Sequence, residues 1–252
     1  MIVTPQTLFT GRQFIWLPSC TSTNSEAQML ILQNRASEGC TVMTDFQTAG
    51  RGQRGNHWEA APAENVMLSV VWQPTFLAAV EQFQLSQAVA LSVHDWATTL
   101  LGPDAQLKLK WPNDLLYGNQ KLGGILIENT LSGPKIQYSI IGIGLNINQH
   151  SFAIPSATSI SQITGRAYDR EVLVTSLLEC LERRYLQLRG GQVGELRRAY
   201  LAALYRYQEL HTFDANGKRV SGQIVGVEED GRLALSIEGK LCRFALQEIR
   251  HV

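Results

Sequence analysis

Apolar residues recur along this chain with two periods, and together the two predict a sheet flanked by helices. Residues 13–17 (Gln-Phe-Ile-Trp-Leu) predict a short strand closed by Pro18, and residues 40–44 and 65–72 predict two more, the last almost continuously apolar and therefore largely buried. Between them, Ala27, Leu30, Ile31 and Asn34 fall at helical spacing, with Thr23 and Glu26 in capping-box register. A long helical pattern from Leu77 to about Leu101 ends at Gly102-Pro103. Strict alternation then returns at residues 107–111, breaks at Pro112-Asn113-Asp114, and resumes at 115–117. Gly118-Asn119 is a turn signal, which makes residues 121–128 the returning strand of a hairpin. Residues 136–147 predict another strand, in which Gly142 and Gly144 alternate with Ile141, Ile143 and Leu145. Helices follow from Arg170 to about Leu188, capped by Asp169 with Val172, Leu173, Leu177, Leu178, Leu181 and Tyr185 on one face, and from Val193 to about Tyr205. After Tyr207, closely spaced turn signals at 215–218, 228–231 and 238–239 separate short β-type segments. The pattern divides the chain into a larger domain, 1–207, and a small β module, 208–252.

Composition narrows the class without changing that plan. The chain has 252 residues, 44% hydrophobic and 17% charged, enough for a sizeable core. Lys+Arg and Asp+Glu both number 22, so no chain-wide nucleic-acid footprint is expected. The four cysteines (Cys20, Cys40, Cys180, Cys242) form no C-x-x-C pair, which fits a reducing compartment better than zinc or a disulfide framework. No signal-peptide pattern and no membrane-spanning run is present, so a cytoplasmic protein is expected. His94 sits within a helical pattern and is assigned no chemistry.

Candidate chemistry concentrates where glycine interrupts apolar patterning. Gly50-Arg51-Gly52-Gln53-Arg54-Gly55-Asn56-His57-Trp58 combines free backbone with forked cations, as an anion-binding loop that orders over a ligand would. Read alone, such a stretch more often describes a solvated surface loop. The Gly123-Gly124 pair and the Gly142/Gly144 alternation lie inside strands, where glycine often marks close approach of a ligand or another backbone. The hairpin expected around Gly118-Asn119 would bring Asp114 within reach of Lys121. Ser22, Thr23 and Asn24 either cap the helix they open or offer polar groups to a ligand, and both can hold.

Five motifs in order resemble bacterial biotin protein ligases (biotin–[acetyl-CoA-carboxylase] ligases). They are Ser22-Thr23-Asn24 with Gln47, Gly50-Arg51-Gly52-x-x-Gly55, Lys110-Trp111-Pro112-Asn113-Asp114, Lys121-Leu122-Gly123-Gly124-Ile125-Leu126, and Gly142-Ile143-Gly144-Leu145-Asn146. The resemblance implies an α+β fold, a class II aminoacyl-tRNA synthetase-like catalytic domain with a mixed sheet and helices, followed by an SH3-like β-barrel. It also implies a two-step reaction. Biotin and ATP give biotinyl-5′-AMP and pyrophosphate, and the ε-amine of a lysine on the biotin carboxyl carrier protein then takes the biotinyl group and releases AMP. Mg²⁺ and clustered cations suit the meeting of two anions. Carried over by position, Ser22, Thr23, Asn24, Gln47, Arg51, Gly52, Gln53, Lys121, Gly123 and Gly124 would surround biotin. Arg51, Arg54, Trp58, Asn113, Lys121 and Asn146 would hold ATP or the adenylate, with Trp58 stacking on adenine. Lys121, Arg51 and Asp114 would be catalytic, Asp114 orienting or helping to deprotonate the acceptor lysine. The resemblance names no metal ligands, and relatives occur as monomers and homodimers.

Two positions depart from the family pattern: Gln53 stands where many relatives carry arginine, and Asn56 where many carry a basic residue. A lipoate or octanoate ligase shares the implied fold, but the complete motif set matches the biotin branch. Some relatives are biotin-responsive repressors with a winged helix-turn-helix ahead of the catalytic domain. Here the first strand starts near Gln13, so a monofunctional enzyme that binds no DNA is expected. An RNA-binding Arg-Gly protein is disfavoured by the single short cluster and the zero net charge.

Overall fold

The computed structural model describes residues 3–252, with the side chain of Arg54 outside the described residues. A seven-stranded mixed sheet carries the larger part. Its strands are β1 (Phe14–Leu17), β2 (Thr41–Thr44), β3 (Val66–Trp72), β4 (Leu107–Lys110), β5 (Asp114–Tyr117), β6 (Gln120–Ser132) and β7 (Lys135–Leu145), in spatial order β1-β2-β3-β7-β6-β5-β4. Only β1 and β2 run parallel; the other neighbours are antiparallel. Five helices accompany the sheet: α1 (Thr23–Leu32), α2 (Gln82–Leu101), α3 (Ile160–Thr164), α4 (Arg170–Arg189) and α5 (Val193–Ala203).

The two faces of β3 explain the layering. All seven of its residues are buried, because β2 and β7 flank it and helices cover both sides. Val66, Leu68, Val70 and Trp72 join the main core with α2 and α4, while Val71 packs with Ala27, Val42 and Ile140 beneath α1. Met67 and Ser69 lie on the α1 side by the same alternation. This is the face that carries the site.

The second sheet begins at Leu210. Its strands β8 (Leu210–Ala215), β9 (Lys218–Val227), β10 (Leu233–Ile237), β11 (Lys240–Phe244) and β12 (Ile249–His251) are antiparallel in the order β11-β10-β9-β8-β12. Its apolar residues, including Phe213, Ile224 and Leu235, share one continuous core with the larger part. Trp111 Nε1 donates to the Gly231 carbonyl at 2.9 Å, tying the turn after β4 to the loop between β9 and β10.

Several local expectations change. The helix expected from Leu77 starts at Gln82, because the backbone before it is already engaged with the start of β7: Ala79 N–H donates to Pro134 and Ile136 N–H to Leu77. The capping box of Thr23 with Glu26 does not form. Ser22 is the N-cap, and the Thr23 hydroxyl turns to Ser69 and Gln47 instead. Asn34 lies beyond α1 with φ 54°. Val172 is 65% exposed, since the buried stripe of α4 runs through Leu173, Leu177, Leu181 and Tyr185, next to it but not including it. Asp169 caps α4 as expected, accepting from Glu171 N–H at 2.8 Å.

Candidate active site

A cavity of about 300 Å³ opens on the α1 face of the seven-stranded sheet. Its floor is β6 and β7, which pair Gly124 with Gly144 and Leu126 with Gly142. These glycines act by what they leave out. A Cβ on Gly142 would sit 2.4 Å from Asn24 Oδ1, one on Gly144 2.5 Å from the Trp58 ring, and one on Gly124 3.3 Å from the same ring. Any side chain at 142 or 144 would therefore fill space that the polar wall or the indole occupies.

The polar wall is the start of α1. Thr23 N–H donates to Gln47 Oε1 at 2.9 Å, which holds the glutamine against the helix N-terminus. Ser69 Oγ, fully buried, lies 2.7 Å from Thr23 Oγ1 and 2.5 Å from Asn24 Oδ1. Asn24 Nδ2 donates to Glu128 Oε2 at 2.6 Å. Thr23, Asn24 and Ser22 are all buried and all line the cavity. Their orientations are set by this network before any ligand arrives.

The segment expected to be an anion-binding loop that orders over a ligand is a short hairpin flap. Trp58 N–H donates to Gly50 and Gly52 N–H to Asn56, with a single 3₁₀ turn at Gln53–Gly55 between them. Gly50 is required by its close approach to this partner strand: a Cβ there would lie 2.4 Å from the Trp58 carbonyl. The flap places Arg51, Gly52, Gln53, Asn56 and Trp58 on the cavity. Trp58 reaches the glycine floor, and its Nε1–H is buried with no hydrogen-bond partner. Arg51 pairs with Glu128 at 2.9 Å, and its side chain remains 41% exposed. The expected contribution of the Arg54 side chain lies outside the described residues.

The hairpin of β5 and β6 brings Lys121 Nζ to 2.7 Å from Asp114 Oδ1, with Nζ also 5.6 Å from the centre of the Trp58 ring. Asn113 faces the cavity while its amide donates to the Ile125 carbonyl at 2.7 Å, closing the turn between β4 and β5. Two expected residues stand off the cavity wall. Gly123 is one residue out of phase with Gly124, so its Cβ would point to Leu145 Cδ2 at 2.5 Å and to the Gly144 carbonyl at 2.9 Å. Asn146 is buried, with its amide donating to Thr158 O at 2.9 Å, where it ties the segment before α3 to β6.

Three contributors escape a reading of motifs. Ser69 is a lone hydroxyl in a buried strand, a pattern that does signal a satisfied polar role. Glu128 continues the alternation of Gly124 and Leu126 and so lies on the cavity face of β6. The second sheet supplies Phe213, Leu233, Leu246, Ile249 and His251 as a further wall. The His251 imidazole is pushed down to about 4, by burial first and then by the charges of Lys110, His211 and Arg206. Both of its ring nitrogens are buried without a partner.

The family model described as "Biotin/lipoate A/B protein ligase family" matches residues 16–146, just over half the chain and the whole segment that builds the floor, flap and polar wall. The chain belongs to this family. A biotin–[acetyl-CoA-carboxylase] ligase of Paracoccus denitrificans is 35% identical over 220 residues, covering 85% of this chain and 90% of that protein. A bifunctional ligase/repressor of Bacillus spizizenii is 35% identical over 181 residues, 69% of this chain, which spans only 54% of the repressor's length. Among solved structures, the biotin protein ligase of Aquifex aeolicus in complex with biotin and ATP superposes with a TM-score of 0.78 at 25% identity, covering 96% of this chain and all of that one. Among the described residues no three His, Cys, Asp or Glu side chains gather into a metal cluster, and no helix is long and apolar enough to cross a membrane.

Proposed function

We propose that this chain is an ATP-dependent biotin–protein ligase that forms biotinyl-5′-AMP and transfers biotin to a lysine of a biotin carboxyl carrier domain. One observation carries the reading. A prearranged polar wall (Thr23, Asn24, Gln47) and two cations (Arg51, Lys121) meet across a floor from which side chains have been removed. A ligand with a polar head, an apolar body and a carboxylate matches that sequence of surfaces.

In the first step a biotin carboxylate oxygen attacks the α-phosphorus of ATP, and the bond to pyrophosphate breaks with its electron pair leaving on that group. Lys121 and Arg51 lower the repulsion between the two anions and stabilise the charge that develops. In the second step the acceptor amine attacks the carbonyl carbon and AMP leaves. Asp114, already 2.7 Å from Lys121, is the carboxylate nearest that cation and would orient the incoming amine or take its proton. Trp58 would leave the glycine floor and stack on adenine, while Gln53 and Asn113 line the nucleotide side. Among the described residues no three His, Cys, Asp or Glu side chains gather into a cage, and Mg²⁺ would enter on the phosphates of ATP. Residues 1–207 would form the catalytic domain and 208–252 a C-terminal domain that closes one wall. The enzyme would act in the cytoplasm as a monomer or homodimer.

The deciding experiment is incubation with biotin, Mg-ATP and an apo carrier domain, read as a mass gain on the acceptor lysine. A parallel ATP–pyrophosphate exchange assay with biotin and lipoate separates the lipoate-ligase reading; exchange with lipoate alone would overturn this one.

A further inference from the structure

Glu128 carries none of the expected roles and does not line the cavity, yet its Oε2 joins two parts of it. That oxygen accepts from Asn24 Nδ2 at 2.6 Å and from Arg51 Nη2 at 2.9 Å. Asn24 belongs to the start of α1 and Arg51 to the flap, and nothing in the chain's order links the two. The strand geometry puts Glu128 there. It follows Gly124 and Leu126 at every second position on the cavity face of β6, and pairs with Ile140 one step beyond Gly142, the glycine against which Asn24 packs.

The chemistry of the pairing is directional. The two ends of an asparagine amide have nearly the same shape, so its partners decide which end points where. A carboxylate only accepts, so Glu128 requires the NH₂ end of Asn24. The amide oxygen must then face Ser69, 2.5 Å away, and the single Ser69 hydroxyl hydrogen goes to it. Ser69 Oγ also lies 2.7 Å from Thr23 Oγ1, whose own hydrogen points to Gln47 Oε1 at 3.3 Å. One charge at the rim thus fixes which end of the buried Asn24 amide meets Ser69 on the polar wall. Arg51 uses one of its five N–H donors on the same oxygen, which leaves the others for a ligand anion and holds the flap over the cavity.

We propose that Glu128 is a positioning residue that sets the hydrogen-bonding pattern of the polar wall through Asn24 and holds the flap through Arg51. The proposal rests on the assignment of this cavity to biotin. Its test is Glu128→Leu, which keeps bulk and removes the acceptor at a partly exposed position, beside Glu128→Gln, which returns one acceptor oxygen. In Glu128→Leu, biotin affinity measured by calorimetry without ATP is expected to fall about tenfold. The KM for biotin should rise with it, and by more than kcat falls or the KM for Mg-ATP rises. Trypsin should cleave after Arg51 faster in the ligand-free variant, and Glu128→Gln should recover most of the biotin affinity. Unchanged biotin affinity in Glu128→Leu, an equal loss in kcat and both KM values, or no recovery in Glu128→Gln would each overturn the proposal. Wild-type protein that does not bind biotin at all would instead count against the assignment of the cavity.

Discussion

The floor of the cavity and the flap above it are both rich in glycine, and glycine does opposite work in the two. On β6 and β7 it sits in fully paired strands, where its missing Cβ makes room for Asn24 and Trp58. In the flap it permits a tight hairpin whose backbone would collide with a Cβ at Gly50, and leaves Arg51 projecting partly into solvent. The floor is held by the core of the sheet. The flap is held by a few hydrogen bonds of its own and by the half-exposed Arg51–Glu128 pair. Substitutions in the floor should therefore appear in stability, and substitutions in the flap in the retention of intermediates.

The largest expected effect tests the chemistry both regions serve. Lys121→Ala should reduce ATP–pyrophosphate exchange by about 10²–10³-fold while the thermal unfolding midpoint stays near wild type; unchanged exchange would remove Lys121 from the reaction. Next, Gly123→Val should destabilise the protein by about 1–3 kcal/mol in urea titration, because the added atoms meet Leu145 and the Gly144 carbonyl in the core. Arg51→Ala should change stability by less than about 0.5 kcal/mol, as an exposed ion pair does, yet release free biotinyl-AMP faster. Equal destabilisation by the two substitutions would erase the distinction between floor and flap.

The wall from the second sheet adds a pH dependence. His251 is half-buried with both ring nitrogens enclosed, and its pKa is pushed down to about 4, whereas in the unfolded chain it lies near its ordinary value of about 6.5. Below 6.5 the unfolded state therefore gains protons first, so stability falls as pH drops from 6.5 toward 4 and is unaffected above that window. His251→Phe should flatten this decline in melting curves taken across the range, leaving the smaller slope from His94, which burial also pushes down. Parallel curves for the two proteins would assign the decline to other groups. The smallest effect is expected for Gln53→Arg, a change in a half-buried turn at the cavity that should leave biotinylation within about threefold of wild type.

Much of this was legible from the chain. The alternation at 107–117, the turn at Gly118-Asn119 and the strand that returns through Lys121 predict a hairpin, and the hairpin brings Asp114 and Lys121 to 2.7 Å. Local pattern suffices there because the partners are seven residues apart and joined by one turn. The α+β order of elements and the break in character after Tyr207 follow from the same local rules. Phase within a strand is harder to read from a motif, which is why Gly123 and Gly124 look alike in sequence and face opposite sides of the sheet.

What tertiary structure alone decides are the meetings between residues far apart in the chain. Ser69 reaches Asn24, Glu128 joins Asn24 to Arg51, and His251 closes a wall 200 residues from Arg51 because two sheets share one core. No periodicity encodes such contacts, since they depend on how strands from different parts of the chain are ordered in the sheet. Sequence determined the strands, the hairpin and the residue types that handle anions. Packing decided which face of each strand meets the ligand, and which distant carboxylate holds the site in order.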